Sequence, residues 1–163
     1  MVEIELLRGE VALVDREYLE LVSRYRWCVG TSGNRRTQYA VASTRRPDGR
    51  RTLVRMHRLI LGLTGRAVHV DHQNGNGLDN RRANLRICTH TENMWNRRRN
   101  VNSTSGFKGV YWHKAKGKWC AQVQVHGKRH HLGLFTTAEE AHLAYCRAAD
   151  ELHGEFRNYG EPV

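Results

Sequence analysis

Hydrophobic and polar residues alternate along several short stretches of the chain, and each such stretch predicts a half-buried strand. The clearest pair covers residues 68–71 and 85–88, separated by a turn with two Asn-Gly steps. Directly after the second stretch, Thr89 and Glu92 have the spacing of a capping box, which predicts the start of a helix. The sequence therefore predicts a strand, a long turn, a strand and a helix in succession.

A second set of alternating stretches lies near the C-terminus, at residues 108–113, 118–126 and 129–135. They predict three strands, followed by a helix over residues 137–153 that begins at a further capping box. In the middle strand the apolar and polar side chains fall on opposite faces, and the helix carries small alanines on one side. We expect an α+β chain in which this three-stranded antiparallel sheet packs on one helix.

The N-terminal segment predicts a β-rich extension. Stretches at 10–14, 27–29, 39–43 and 52–55 read as strands, and Asp15 is placed to cap a short helix. Three arginine pairs mark expected hairpin ends: Arg35-Arg36, Arg45-Arg46 and Arg50-Arg51.

Charge indicates the kind of partner. The chain has 163 residues and a net charge of +11, and both halves contribute, with 16 basic against 10 acidic residues up to position 96 and 11 against 6 beyond it. A polyanion is the expected partner. The sequence shows no membrane span, no signal peptide and no disulfide or zinc spacing among its four cysteines. The expected location is the cytoplasm.

Domain boundaries follow from a change in pattern. Residues 97–105 are polar and lack periodicity, and they begin with Arg97, Arg98 and Arg99, so they predict a basic linker that follows the DNA backbone. The expected division is residues 1–96, with a core at about 57–96, then the linker, then residues 106–158. On this division any chemistry of the first module lies wholly upstream of the linker.

The first module resembles the HNH endonuclease family, on the strength of Val70-Asp71-His72, Asn84-Leu85-Arg86 and Glu92-Asn93. It is most similar to the phage and intron-homing branch, which has Asn as the third motif letter. The resemblance implies a ββα-metal fold, Asp71 and Asn93 as metal ligands, His72 as general base and Asn84 as a clamp on the turn within the catalytic motif. One carboxylate and one amide suit Mg²⁺, with Mn²⁺ as an expected substitute.

Strand geometry leaves the identity of the base open. Successive side chains of a strand point to opposite faces, so Asp71 shares a face with His69 rather than with His72. Asp71 and His72 can face one metal ion only if the regular strand ends or bulges there. The family places its histidine directly after the acid, which favours His72, and His69 is the alternative.

The second module resembles the DNA-binding domain of the APETALA-two and ethylene-response-factor family, through Gly106-Phe107-Lys108-Gly109-Val110, Leu132-Gly133-Leu134-Phe135 and Thr137-Ala138-Glu139-Glu140-Ala141. The resemblance implies a sheet that lies in the major groove. It places DNA contacts at Lys108, Tyr111, His113, Lys118, Gln122, Gln124, Arg129 and His131. Gln and Arg can read adenine and guanine in pairs of hydrogen bonds.

Two functions agree with these patterns. The first is a site-specific, homing-type endonuclease that hydrolyses double-stranded DNA with one divalent ion, in which the C-terminal sheet selects the site. The alternative is a sequence-specific DNA-binding regulator whose nuclease module is inactive. The oligomeric state is left open by the sequence.

Overall fold

The computed structural model describes residues 1–31, 37–65, 67–100 and 103–160. The chain divides into two compact units, Met1–Cys88 and Thr89–Val163. The predicted hairpin end at Arg35-Arg36 lies outside the described residues. The fold is mixed, with several small sheets and few helices among the residues described.

The first unit consists of short strands with two short helices between them. Its elements are β1 Val2–Glu5, β2 Val11–Val14, α1 Leu19–Ser23, β3 Cys28–Thr31, β4 Gln38–Arg45, β5 Arg51–Arg55, α2 Met56–Ile60, β6 His69–His72 and β7 Leu85–Cys88. The strands form three antiparallel sheets, β1-β2, β3-β4-β5 and β6-β7. The predicted strands are confirmed, whereas β1 and α2 were not anticipated.

Alternation along the strands builds the core of this unit. Ala12 and Val14 of β2 are buried together with Val22 and Met56, and the Trp27 indole N–H donates to the Val22 carbonyl at 2.8 Å. Asp15 takes the N-cap position of a short 3-10 turn, Arg16–Tyr18, that leads into α1, but its side chain makes no capping hydrogen bond. The carboxylate instead accepts a hydrogen bond from a backbone N–H that lies 67 residues along the chain, a distance at which local sequence gives no signal.

The second unit places one sheet against one helix. Its elements are α3 His90–Trp95, β8 Val110–His113, β9 Lys118–Val125, β10 Lys128–Phe135 and α4 Ala138–His153. The strands are antiparallel in the order β10-β9-β8, and α4 packs on the sheet through its alanines. Both capping boxes are present, at Thr89 and at Thr137. The predicted sheet, helix and caps are therefore confirmed.

Close packing beneath α4 explains one glycine. Gly109 has φ +73°, and a Cβ at this position would overlap the ring of Tyr145, so only glycine fits. Two large side chains of this unit are exposed: Trp112 (43%) and Leu152 (42%). Trp112 lies on the edge strand and meets Trp119 edge-on, with ring centroids 5.1 Å apart.

The boundary between the compact units falls after Cys88, upstream of the predicted linker. Helix α3, which the sequence assigns to the nuclease module, therefore packs within the second unit. The end of the predicted linker is ordered, because the Ser105 hydroxyl donates to the Val110 carbonyl at 2.8 Å and accepts from the Phe107 N–H at 3.2 Å. Among the described residues, no helix is both long and apolar enough to cross a membrane.

Candidate functional site

The hairpin of β6 and β7 carries three of the four motif residues: Asp71, His72 and Asn84. Asn84 ties the turn between the strands together. Its side-chain carbonyl accepts from the Asn74 N–H at 3.0 Å, and its amide donates to the Asp79 carbonyl at 2.7 Å. Asn84 thus makes the bonds expected of a clamp that fixes both ends of the turn.

Asp79 is the second organising residue of this turn. It is almost fully buried, pairs with Arg81 through two bonds of 2.8 and 2.6 Å, and accepts from the Asn74 amide at 2.8 Å. These bonds, the Arg81 side chain first, lower the pKa of Asp79 below its ordinary value. The Asn-rich turn is therefore a rigid hydrogen-bonded structure, and it holds the end of β6 in place.

Asp71 is buried in the middle of the hairpin opposite Arg86. The Arg86 Nε and Nη2 atoms lie 2.8 and 2.7 Å from the same oxygen, Oδ2, of Asp71. An arginine with two N–H groups on one oxygen holds a carboxylate in a fixed direction. Arg86 therefore orients the carboxylate that the sequence assigns as a metal ligand.

His72 ends β6 and is packed among polar and aromatic rings. Its ring meets His57 edge-on at 5.0 Å between centroids and lies 5.8 Å from Tyr39. Its Nε2 atom lies 3.4 Å from the side-chain oxygen of Asn80. His57 is itself packed in the first unit, since only 6% of it is exposed.

Burial keeps both histidines neutral. It lowers the pKa of His57 to about 3, with smaller contributions from the charges of His72, Arg55 and Arg58. Burial also lowers the pKa of His72, which Asn80 and the nearby carboxylates oppose. A neutral imidazole has a lone pair that can take a proton.

The strand is regular at the motif. β6 pairs with β7 in register, Asp71 opposite Arg86 and His72 opposite Leu85, with no bulge. His72 is the last residue of β6. The strand thus ends at the position where it must end or bulge if Asp71 and His72 are to face one metal ion. His69 is half-buried and paired opposite Cys88 on the same strand, and its claim to be the base stays open.

Asn93 lies on α3, in the second unit. Its side-chain carbonyl and the Asp71 carboxylate are hard oxygen donors, and such donors fit Mg²⁺ or Mn²⁺. In the part of the chain that the structure describes, no group of three or more His, Cys, Asp or Glu side chains could hold a metal ion. The chemistry of the two donors therefore suits a hard ion.

The polar face of the second-unit sheet collects seven of the eight predicted DNA contacts. Directly opposed residues of antiparallel strands share a face. The register pairs His113 with Lys118, Gln122 with His131 and Gln124 with Arg129, and it places Tyr111 opposite Cys120 on the same face. This face, which we call the polar sheet face, is opposite the face on which α4 packs.

Lys108 is placed differently from the other seven. Its ammonium group donates to the Trp95 carbonyl at 2.6 Å and lies 6.0 Å from the centre of the Tyr145 ring, on the α4 side. Burial, and then the charge of Arg97, lowers its pKa to about 8. The structure thus gives this amine a protein partner in place of the predicted phosphate.

Arg97 and Arg98 are exposed and Arg99 is half-buried directly after α3. Arg97 donates to the Met94 sulfur at 3.5 Å. Their predicted contact with the DNA backbone stays a prediction.

Sequence reasoning missed Arg86 and Asn80 as partners of the motif. Arg86 stands in the quoted motif Asn84-Leu85-Arg86, and the hairpin register could have shown it opposite Asp71. Asn80 lies in the turn eight residues after His72, and only the fold brings the two side chains together.

Comparisons with known proteins match both families that the sequence resembles. The family profile described as HNH endonuclease matches residues 55–95, and the profile described as AP2 domain matches residues 105–155. Protein 3.8 of Escherichia phage T7 is 34% identical over 94 residues, which cover 58% of this chain and 77% of that protein. An uncharacterized HNH endonuclease of Acanthamoeba polyphaga mimivirus is 32% identical over 151 residues, 91% of this chain and 74% of the viral protein. No solved structure matches the chain.

Proposed function

Because this chain belongs to the HNH endonuclease family and carries an AP2 domain, we propose that it is a site-specific, homing-type endonuclease that cuts double-stranded DNA with one divalent ion. The observation that carries the proposal is the hairpin on which Asp71, His72 and Asn84 stand together, in one chain with a DNA-binding sheet. The homing type rests on the resemblance of its motif to the phage and intron-homing branch, in which the third motif letter is Asn.

Asp71 and Asn93 would hold the ion, and Arg86 would keep the Asp71 carboxylate in a fixed orientation. When bound, Mg²⁺ supplies positive charge at the phosphate and at the leaving 3′ oxygen. Two protein ligands bind such an ion weakly until a phosphate oxygen of the substrate joins them. The Mg²⁺ concentration that cleavage requires should therefore depend on the DNA concentration.

His72 would take the proton of the attacking water. The Asn80 amide donates to the Leu78 carbonyl at 3.0 Å, which leaves its side-chain oxygen 3.4 Å from His72 Nε2. An acceptor at this position favours the tautomer with the proton on Nε2. In that tautomer Nδ1 would carry the lone pair and would accept the proton.

The polar sheet face would read the DNA site. Lys118 and Arg129 bring positive charge to it, and Gln122 and Gln124 bring paired donors and acceptors. Such amides can recognise adenine, while the cations hold phosphate or guanine. Lys108 is left out of this face because its amine bonds to the Trp95 carbonyl.

One observation favours the alternative, a DNA-binding regulator with an inactive nuclease module. Asp71 Oδ2 accepts both N–H groups of Arg86, and a carboxylate satisfied in this way can serve the hairpin alone. A regulator would bind DNA through the polar sheet face and would not cut it under any metal condition.

Nicking of a long supercoiled DNA, with and without EDTA, separates the two functions. The endonuclease proposal predicts nicked or linear DNA with Mg²⁺ or Mn²⁺, ends that map to defined sites, and no product in EDTA. DNA that is bound at defined sites but stays intact over the full range of divalent ions would establish the regulator.

A further inference from the structure

Helix α3 is too short to be stable by itself. It has six residues, His90–Trp95, and isolated helices of this length do not persist in water. Its N-terminal end is secured locally, because Thr89 Oγ1 accepts from the Glu92 N–H at 3.2 Å and Glu92 Oε2 accepts from the Thr89 N–H at 2.7 Å. The carbonyls at the C-terminal end need donors from elsewhere.

Two side chains from beyond the helix supply these donors. The Lys108 ammonium donates to the Trp95 carbonyl at 2.6 Å. The Asn158 amide donates to the Asn96 backbone carbonyl at 3.0 Å and lies 3.2 Å from its side-chain oxygen. Asn96 is the C-cap residue of α3. A positive charge at this end is also favoured by the helix dipole.

Both donors are themselves held in place. The Asn158 side-chain oxygen accepts from the Gly160 N–H at 2.7 Å, and its backbone carbonyl accepts from the Tyr145 hydroxyl at 3.2 Å. The Lys108 amine lies near the ring of the same tyrosine. Tyr145, which is buried against the sheet, thus links both donors to the core of the second unit.

Ring packing secures the same end of α3. Trp95 stacks on His153 of α4, with centroids 4.6 Å apart and planes at 14°. Its edge meets His126, in the turn between β9 and β10, at 5.6 Å. The last turn of α3 is therefore bonded or packed to four parts of the second unit: the segment before β8, the turn between β9 and β10, α4 and the segment after α4.

We propose that Lys108 and Asn158 are positioning residues of the nuclease: they fix the last turn of α3 and, through it, the direction of the Asn93 side chain. The proposal rests on the proposed function for the ligand role of Asn93. The second unit, which carries the AP2 domain, would then position a metal ligand as well as recognise the DNA site. The proposal also replaces the expectation that the chemistry lies wholly upstream of residue 97.

Hydrogen exchange of the metal-free, DNA-free full-length protein tests the structural half. The variants are Lys108→Met, which removes the donor and keeps the stem, and Asn158→Asp, which keeps the acceptor for Gly160 and removes the donor to Asn96. Amide exchange in residues 90–97 should rise by about tenfold or more in each, as for loss of a buried hydrogen bond. Lys114→Met, at an exposed lysine of the same unit, is the matched control and should leave exchange unchanged.

The catalytic half is tested by titrating Mg²⁺ in the cleavage assay and by measuring DNA binding in EDTA. Both variants should need more Mg²⁺ and cleave more slowly at saturating DNA, while DNA affinity in EDTA stays close to wild type. If Lys108→Met loosens the whole second unit, seen as faster exchange in β9, the Asn158→Asp protein alone decides the question.

If both variants leave hydrogen exchange in residues 90–97 unchanged, the proposal is overturned, whatever their cleavage rates. Faster exchange there with wild-type metal dependence and cleavage overturns the positioning role of Lys108 and Asn158. Absence of cleavage by the wild-type protein would instead count against the proposed function, and the exchange experiment would still test the clamp on α3.

Discussion

Acidification should destabilise the first unit through His57. This ring is buried, and its pKa is lowered to about 3 from 6.5. In the unfolded chain it takes a proton at its ordinary pKa, so the unfolded state binds more protons as the pH falls. The contribution of neutral His57 to stability is fully present above pH 6.5 and is lost as the pH falls from there towards 3.

The magnitude at pH 5 follows from linkage. This pH lies about 1.5 units below the pKa of His57 in the unfolded chain. At about 1.36 kcal/mol per unit, the free energy of unfolding falls by about 2 kcal/mol. Against a total stability of about 5–15 kcal/mol for an ordinary domain, this loss is easily measured. His72 adds a loss in the same direction, since burial also lowers its pKa.

Urea unfolding followed by circular dichroism at pH 7.5 and pH 5 measures the effect, in metal-free buffer. His57→Phe keeps a ring beside Tyr39 and His72 but has no site for a proton, so its free energy of unfolding should fall by about 2 kcal/mol less than that of wild type. His130→Gln, at an exposed histidine, should behave like wild type. Equal pH dependence in wild type and His57→Phe would refute the reasoning.

Three further predictions concern the site and the sheet. Asp71→Asn should raise the Mg²⁺ concentration needed for half-maximal cleavage, because it weakens one of two protein ligands; an unchanged metal titration would remove Asp71 from the site. Asn84→Ala should lower the free energy of unfolding by about 2 kcal/mol, because two part-buried or buried bonds are lost, and Asn76→Ala in the same turn, an exposed position, should cost less. Gln122→Ala and Gln124→Ala should each relax specificity at individual base positions by about 1–3 kcal/mol in binding to a DNA library; uniform weakening at all positions would mean that they contact the backbone.

Local signals predicted most of the secondary structure. The capping boxes at Thr89 and Thr137 depend on residues three apart, and the structure has both. The faces of β9 follow from strict alternation, and the register of its neighbours places the polar side chains together. These features need no knowledge of the remainder of the chain.

Contacts between distant residues could not be predicted in the same way. Asn158 contacts Asn96 across 62 residues, and Asp15 accepts from a backbone N–H across 67. No periodicity or spacing in the sequence predicts either contact. The resemblance to the APETALA-two family placed a DNA contact at Lys108. Its burial beside Tyr145 depends on how α3 and α4 pack, which only the fold provides.

The central claim is that His72 is the general base of a metal-dependent DNA endonuclease, and the most direct test compares His72→Ala with His69→Ala. Cleavage rates are measured at saturating DNA and Mg²⁺, beside DNA affinity in EDTA. We expect His72→Ala to lose a factor on the order of 10² or more in rate with unchanged affinity, and His69→Ala to retain most of its activity. Wild-type cleavage by His72→Ala would contradict this mechanism, and loss of cleavage in His69→Ala alone would assign the proton to His69.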